Sequence, residues 1–217
     1  KFFSKEGLTV VAFFILAVFI IGAGTILWLS KDLPEPGKLI DREVAESTKI
    51  YDRTGQTILY EIHGDEKRTL VPLSDIPQSV RDATIAIEDK NFYHHSGFSI
   101  WAIFRTAVTN VFTNSKAGGS TLTQQFIKNA VLTNDKSYVR KLKEVILAYR
   151  LEKKFSKDQI LQMYFNEIPY GSNAYGIEAA SLKYFGKHIK DVNLSEAAIL
   201  AAMVQSPSRY SPYGPNK

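Results

Sequence analysis

Two carboxylates and a band of cations carry the chemistry open to this sequence. The first carboxylate lies in IAIEDKNFYHHSGF, Ile85 to Phe98. Val80, Ala83, Thr84 and Ile87 recur at helical spacing ahead of it, so a packed helix runs into two adjacent acids, Glu88 and Asp89. A carboxylate at a helix end beside Phe92 and Phe98 is partly desolvated, and desolvation makes a carboxylate a better proton acceptor, as a general base requires. Like charge on Asp89 pushes the same way. The plainer alternative is a solvated acid pair. His94 and His95 lack metal-ligand spacing, and His95 is expected to serve as a structural hydrogen-bonding group.

A second cluster is AGGSTLTQQFIKN, Ala117 to Asn129. Gly118 and Gly119 allow close approach of a ligand to the backbone. Ser120 or Thr121 can cap the helix that follows, with Gln124 at the reciprocal position. The free N–H groups at that helix start suit an anion. Thr121, Gln124, Gln125 and Lys128 make a face of uncharged hydrogen-bonding groups that ends in a cation, fit for a sugar joined to phosphate. It is not a Walker loop, because G-x-x-x-x-G-K-[ST] is absent. An ordinary capped helix with a solvated polar face is the alternative.

Lys128 to Lys157 holds nine Lys or Arg against three acids, more positive than the whole chain at +5. Lys136, Arg140 and Glu144 follow at intervals of four and share a helix face. Val139, Leu142, Ile146 and Tyr149 read as the buried stripe of that helix. One reading is a diphosphate cradle of Lys128, Lys136 and Arg140, with Glu144 orienting them or holding a metal. The other is a solvated basic face with routine ion pairs, which is expected to account for Lys153, Lys154 and Lys157.

Positioning these groups falls to a mainly α architecture. Leu8 to Leu29 carries no charge over 22 residues, enough to cross a hydrocarbon core of roughly 30 Å. Lys1 and Lys5 precede it and Trp28 stands at its far end. These flanks favour a retained single-pass anchor in the cytoplasmic membrane over a cleaved signal peptide, with the N-terminus in the cytoplasm and the bulk outside. Residues 1–30 are thus expected to be a cytoplasmic stub and transmembrane helix. Residues 31–70 read as a juxtamembrane linker with a small β-hairpin, Ser47 to Ile62, turning about Asp52–Gly55. Residues 71–217 form the globule. Its expected helices run from Pro77 to Glu88, Ser99 to Thr113, Thr121 to Val131 and Ser137 to Lys154. A capping box of Ser156 and Gln159 starts one that ends near Asn166; another runs from about Asn173 to Tyr184, and Ser195 caps the last through Val204. Trp101, Ile103, Phe104 and Val108 read first as core, with a lipid-facing surface as the alternative.

Composition narrows the classes. The 217 residues suffice for one sizeable domain and an anchor. With no cysteine, disulfides and thiolate metal sites are excluded. Basic charge alone does not select a partner, and a nucleic-acid partner is disfavoured for an anchored chain whose bulk lies outside the cell.

The clusters also resemble a known family. EDKNFYHHSG resembles the E-D-x-x-F-x-x-H-x-G signature of the family 51 peptidoglycan glycosyltransferases. GGSTLTQQFIKN, RKLKE (Arg140–Glu144), KDQILQMYFNEIPYG (Lys157–Gly171) and LSEAAILAAMVQSPSRYSP (Leu194–Pro212) resemble the next four motifs, in order. One departure is Gln162, where the family usually has Glu; a structural role that Gln can fill is expected. The resemblance implies a lysozyme-like, two-lobed helical fold and polymerisation of lipid II into β-1,4-linked glycan with inversion and release of undecaprenyl diphosphate. By motif position Glu88 is the base and Glu144 the second carboxylate. The implied substrate- and diphosphate-binding set is Asp89, Phe92, His95, Gly119, Ser120, Thr121, Gln124, Gln125, Lys128, Asn129, Lys136, Arg140 and Lys141. Mg2+ or Mn2+ could assist at the diphosphate, but no all-protein metal cage is legible and no organic cofactor is implied. Implied partners are lipid II, the growing glycan strand, membrane lipid, the inhibitor moenomycin and other cell-wall synthesis proteins.

Bifunctional class A penicillin-binding proteins add a transpeptidase domain. Its S-x-x-K, S-D-N and K-T-G set is absent here. The hairpin nonetheless resembles that class, so the expectation is a fragment of a bifunctional protein, with a monofunctional glycosyltransferase as the alternative. A lysozyme-like hydrolase or lytic transglycosylase would share fold and Glu but have no use for the basic face. A non-catalytic wall-binding scaffold would not need Glu88.

Overall fold

A computed structural model describes residues 5–31, 33–35, 48–54, 56, 58–62, 69–99, 101–102, 105–106, 109, 119–132 and 137–213. Lys136, Ile103, Phe104 and Val108 lie outside the described residues. The described chain is mainly helical.

Helix α1, Lys5–Ser30, contains a stretch, Gly7–Ser30, long and apolar enough to cross a membrane, with mean hydropathy 2.8. Nearly all its side chains are exposed, as expected of a helix whose apolar partner is not protein. Its end is different. Leu29 and Leu33 are buried, and the Arg150 guanidinium donates to the Ser30 carbonyl at 3.2 Å and to the Ser30 hydroxyl. An orphan carbonyl at a helix C-terminus thereby gains a cationic donor.

Strands β1, Thr48–Tyr51, and β2, Ile58–Ile62, pair antiparallel in the register Thr48↔Ile62 and Ile50↔Tyr60, with an irregularity at Ile50/Tyr51. In the connection the Asp52 carboxylate accepts the Thr54 and Gln56 N–H groups at 3.1 and 3.3 Å, an Asx-type turn.

The globule is built around four helices. Helix α2, Gln78–Glu88, follows Pro77. Helix α3, Leu122–Ala130, is capped by Thr121. Helix α4, Tyr138–Lys154, is capped by Ser137. Helix α5, Lys157–Glu167, starts with the anticipated Ser156–Gln159 capping box. Helices α6, Ile177–Phe185, α7, Leu194–Gln205, and the short α8, Pro207–Tyr210, complete the chain. α2 packs on α7, and α3 packs on both α4 and α5. Val80, Phe92, Leu122, Ile127, Leu147, Leu151, Ile160 and Phe165 belong to one buried cluster.

Four expectations change. The buried face of α4 is Glu144, Leu147, Ala148 and Leu151, while Val139 and Tyr149 are exposed. The true stripe is a regular i, i+3, i+4, i+7 face that starts on a carboxylate, so apolar pattern alone misplaces it. α6 begins at Ile177 rather than near Asn173. Ser172 and Asn173 adopt left-handed φ of 50° and 59°, which close a turn around the Pro169–Tyr175 bridge. α7 is capped by Asn193, boxed with Glu196, and Ser195 falls inside it. Trp101 is 70% exposed, against the core reading; residues 101–102, 105–106 and 109 are helical.

Gln162 behaves as expected of a structural side chain. Its Oε1 accepts the Leu73 N–H at 3.0 Å, a task for which a carbonyl oxygen suffices. Neighbouring Asn166 exchanges two bonds with the Val71 backbone.

Candidate active site

Glu88 is the last residue of α2. The helix stops because Asp89 takes φ −155°, ψ 71°, which places the two carboxylates in different surroundings. Glu88 Oε2 accepts from Gln125 Nε2 at 2.6 Å, and its Oε1 is buried with no hydrogen-bond partner among the described residues. Asp89 Oδ2 instead accepts the Leu122 N–H at 3.0 Å and lies 2.8 Å from His95 Nε2. The Gly97 N–H donates to His95 Nδ1 at 3.2 Å, so the proton facing Asp89 sits on Nε2. The Thr121 hydroxyl donates to the Gly97 carbonyl at 2.7 Å and accepts from the Gln124 N–H at 3.2 Å. The first two clusters of the sequence are therefore one unit: the loop after α2 holds the start of α3. Gln124 does not complete a capping box, since its side chain is drawn towards α4.

Glu88 stands between two depressions. One, about 420 Å³, is lined by Glu88, Ser120, Gln124, Gln125, Lys128, Asn129 and Glu144, with Ile87, Val204 and Gln205. The other, about 240 Å³, is lined by Glu88, Asp89, Gly119, Ser120 and Thr121, with Lys90, Asn91, Ser99, Ala102 and Arg105 among its remaining walls. Glu88, Ile87 and Ser120 belong to both.

Glu144 enters the larger cleft from the buried face of α4. Its Oε2 accepts from Lys141 Nζ at 2.9 Å, and Arg140 Nε lies 3.3 Å from Oε1 without an aligned hydrogen bond. Lys141 also donates to Ser120 Oγ at 2.6 Å and Gln124 Oε1 at 3.1 Å. A single ammonium thus joins the glycine-rich turn, α3 and α4. Lys128 and Asn129 lie exposed on the cleft rim. Arg140 and Lys141 also line a shallow recess of about 410 Å³ with Ser137 and Tyr138. Lys136 falls outside the described residues, so the three-cation cradle is seen only at Lys128 and Arg140.

Phe92 and His95 line neither cleft, contrary to a direct binding role. Phe92 is fully buried, with edge contacts to Tyr93 and His95. Lys157, expected on the solvated basic face, has Nζ 4.5 Å above the Phe92 ring and 2.7 Å from Glu152 Oε2. Glu152 is the main residue missed by the sequence reading. It is nearly buried, accepts from Thr123 Oγ1 at 2.6 Å, and keeps Oε1 3.8 Å from His95 Nδ1. It lies beside the lysines, and no motif marks it. Val204 and Gln205 were also missed; Gln205 is the polar end of the apolar α7.

Below Glu88 lie two buried tyrosines. The Tyr164 hydroxyl donates to Gln125 Oε1 at 3.4 Å, and the Tyr170 hydroxyl has no hydrogen-bond partner among the described residues. Burial pushes both phenols well above their ordinary range, with the negative charge of Glu88 adding to each.

The donors do not build a metal seat. Among the described residues no three His, Cys, Asp or Glu side chains converge on one point. Glu144 is already matched by Arg140 and Lys141.

The sequence profile of the family described as Transglycosylase matches residues 55–217. Penicillin-binding protein 1A of Aquifex aeolicus is 40% identical over 208 residues, covering 95% of this chain and 28% of that protein. Penicillin-binding protein 1F of Bacillus subtilis is 43% identical over 196 residues, covering 89% and 26%. The chain thus spans about a quarter of the length of these relatives. A crystal structure of Penicillin-Binding Protein 1A from Haemophilus influenzae overlaps 78% of this chain and 16% of its own at 24% identity and TM-score 0.38, too slight a likeness to bear on the fold.

Proposed function

Since the chain belongs to the transglycosylase family, we propose that it is a peptidoglycan glycosyltransferase that polymerises lipid II, with Glu88 as the base. The observation that carries this reading is the position of Glu88, fixed by Gln125 between two polar depressions with Lys128 and Glu144 in the wall of the larger. An acceptor sugar in one depression and a diphosphate-linked donor in the other would meet at this carboxylate. The acceptor 4-hydroxyl forms a bond to the donor anomeric carbon while the bond from that carbon to phosphate oxygen breaks from the opposite face. The hydroxyl proton passes to Glu88, and the electron pair leaves with the diphosphate. One displacement gives the β-1,4 product, with no covalent enzyme intermediate.

Charge develops on the leaving diphosphate. Lys128 on the rim, and Lys141 behind the wall residues Ser120, Gln124 and Glu144 that it bonds, are the cations proposed to stabilise it. Gln124 and Ser120 restrain the same ammonium. A divalent ion, Mg2+ or Mn2+, would arrive with the diphosphate itself. With α1 in the cytoplasmic membrane and the globule on its outer face, the cleft would meet a substrate that is itself a lipid. Moenomycin, the growing strand and other wall-synthesis proteins are the corresponding partners.

The test is polymerisation of labelled lipid II in detergent by the intact chain and by Glu88→Gln. The expected outcome is long glycan from the first and none from the second, with moenomycin binding retained by both. Normal polymerisation by the variant would refute the base assignment. Cleavage of preformed glycan without polymerisation would establish the hydrolase instead.

A further inference from the structure

We propose that Tyr164 is a positioning residue for Glu88, acting through the Gln125 side-chain amide. This rests on Glu88 being the base. A glutamine amide can face a neighbour with either its oxygen or its NH2 group, and the two choices have opposite hydrogen-bonding sense. Facing Glu88 with its oxygen would set acceptor against carboxylate. Facing it with Nε2 gives the 2.6 Å bond seen here. The carboxylate favours that choice from one side, and a donor on the other side of the amide reinforces it. On that side Oε1 lies 3.4 Å from the Tyr164 hydroxyl, which donates to it. Tyr164 is itself fully buried in the main cluster, and its ring makes an edge contact with Phe165. The hydroxyl is thus held by α5, and the Gln125 amide is braced between that hydroxyl and the Glu88 carboxylate.

The relay joins three helices: Tyr164 on α5, Gln125 on α3 and Glu88 at the end of α2. The relay occupies only one of the two carboxylate oxygens, since Glu88 Oε1 has no hydrogen-bond partner among the described residues. Burial holds the Tyr164 phenol in its protonated, donating form. Tyr164 itself lines neither depression, and its effect on the reaction is expected to pass wholly through the wall residue Gln125.

The experiment measures lipid II polymerisation by the full chain in detergent for wild type, Tyr164→Phe, Gln125→Ala and the double variant, by single turnover so that slow variants still read. Tyr164→Phe is expected to lower kcat about tenfold, the loss of one aligned hydrogen bond, with KM within about twofold. In the Gln125→Ala background the same change should remove no further rate. An unchanged kcat, a change confined to KM, or losses that multiply in the double variant would each overturn the proposal. A second measurement needs no variant to fold. In wild-type protein labelled with 15N-glutamine, the Gln125 NH2 pair should exchange slowly with solvent; rapid exchange overturns the relay. Glu88→Gln run alongside separates the two readings. If it polymerises normally, the base assignment falls. If it is inactive while Tyr164→Phe is unimpaired, only the relay falls.

Discussion

The Asp89 carboxylate is bonded to the first residue of α3: its Oδ2 accepts the Leu122 N–H at 3.0 Å. Asp89 is thereby committed to α3, while it also lines the smaller depression beside Glu88. It places a negative charge at the positive end of the helix that presents Gln124, Gln125 and Lys128. Asp89→Ala should destabilise the globule by about 1–3 kcal/mol, from the orphaned N–H and the unpartnered His95. Asp89→Asn should cost less. Urea unfolding in detergent, followed by near-UV circular dichroism, gives both values.

Glu152 is the deeper support. It takes the Thr123 hydroxyl and the Lys157 ammonium on its two oxygens. Removing it leaves the buried Thr123 hydroxyl and the half-buried Lys157 ammonium without their acceptor, so Glu152→Ala should cost about 1–3 kcal/mol. Lys153→Ala, on the exposed side of the same helix, should stay within roughly 0.5 kcal/mol. Equal effects in the same unfolding assay would contradict the burial assigned to Glu152.

Lys141 ties Ser120, Gln124 and Glu144 together. Lys141→Met keeps the stem and removes the charge. Polymerisation of lipid II should fall by about a hundredfold or more if this ammonium stabilises the leaving diphosphate. Moenomycin affinity should weaken in parallel, because the same anion seat is lost. Wild-type turnover would place the charge stabilisation elsewhere, on Lys128.

Two glycines should respond differently to alanine. At Gly97 φ is +89° and a Cβ would lie 2.7 Å from the Ala148 carbonyl carbon and oxygen, both backbone atoms of α4. Gly97→Ala should cost at least about 3 kcal/mol and loosen the His95 and Thr121 bonds with it. At Gly186 φ is +67°, and a Cβ would meet nothing within 4 Å. Gly186→Ala should cost only about 1 kcal/mol, the left-handed preference alone. Thermal melts of the two variants make the comparison.

Alkaline stability should depend on the buried tyrosines. Their folded-state pKa values are raised above those of the unfolded chain by burial. Below the unfolded value of about 10 the contribution is fully present. As pH rises beyond it, the unfolded chain releases phenolic protons that the folded protein retains, and stability is lost. The melting temperature should fall steeply above about pH 10, and less steeply in Tyr170→Phe. An unchanged slope in that variant would mean that the buried phenol does not govern the alkaline limb.

Much of this was legible in the residues. Helix starts were read well where a side chain caps them, as at Thr121, Ser137 and Ser156. Such signals are local and survive without tertiary knowledge. The grouping of Glu88 with Gln125, Lys128 and Glu144 was expected from the motif resemblance rather than from local patterns, and all four line one cleft. What was not legible depends on packing. Glu144 and Glu152 lie on buried or nearly buried surfaces of α4, where a reading of apolar stripes expects hydrocarbon. Phe92 and His95 carry motif positions yet act from behind the wall. The left-handed turn at Ser172 and Asn173 used residues that do not announce it as glycine would. The buried phenol of Tyr164 is an unremarked aromatic in the sequence, and only the fold brings it to Gln125.

The Arg150 contact with the end of α1 has a consequence for how the cleft is presented. A tether with slack would let the globule swivel, and each encounter with a substrate would need a rotational search as well as a lateral one. With Leu29 and Leu33 packed and the Ser30 carbonyl held, the last turn of α1 belongs to the globule. In a bilayer the protein would stand like a bracket bolted at one end, its cleft kept at one height and one tilt. Substrates confined to the same sheet of lipid would then arrive already sorted in the third dimension.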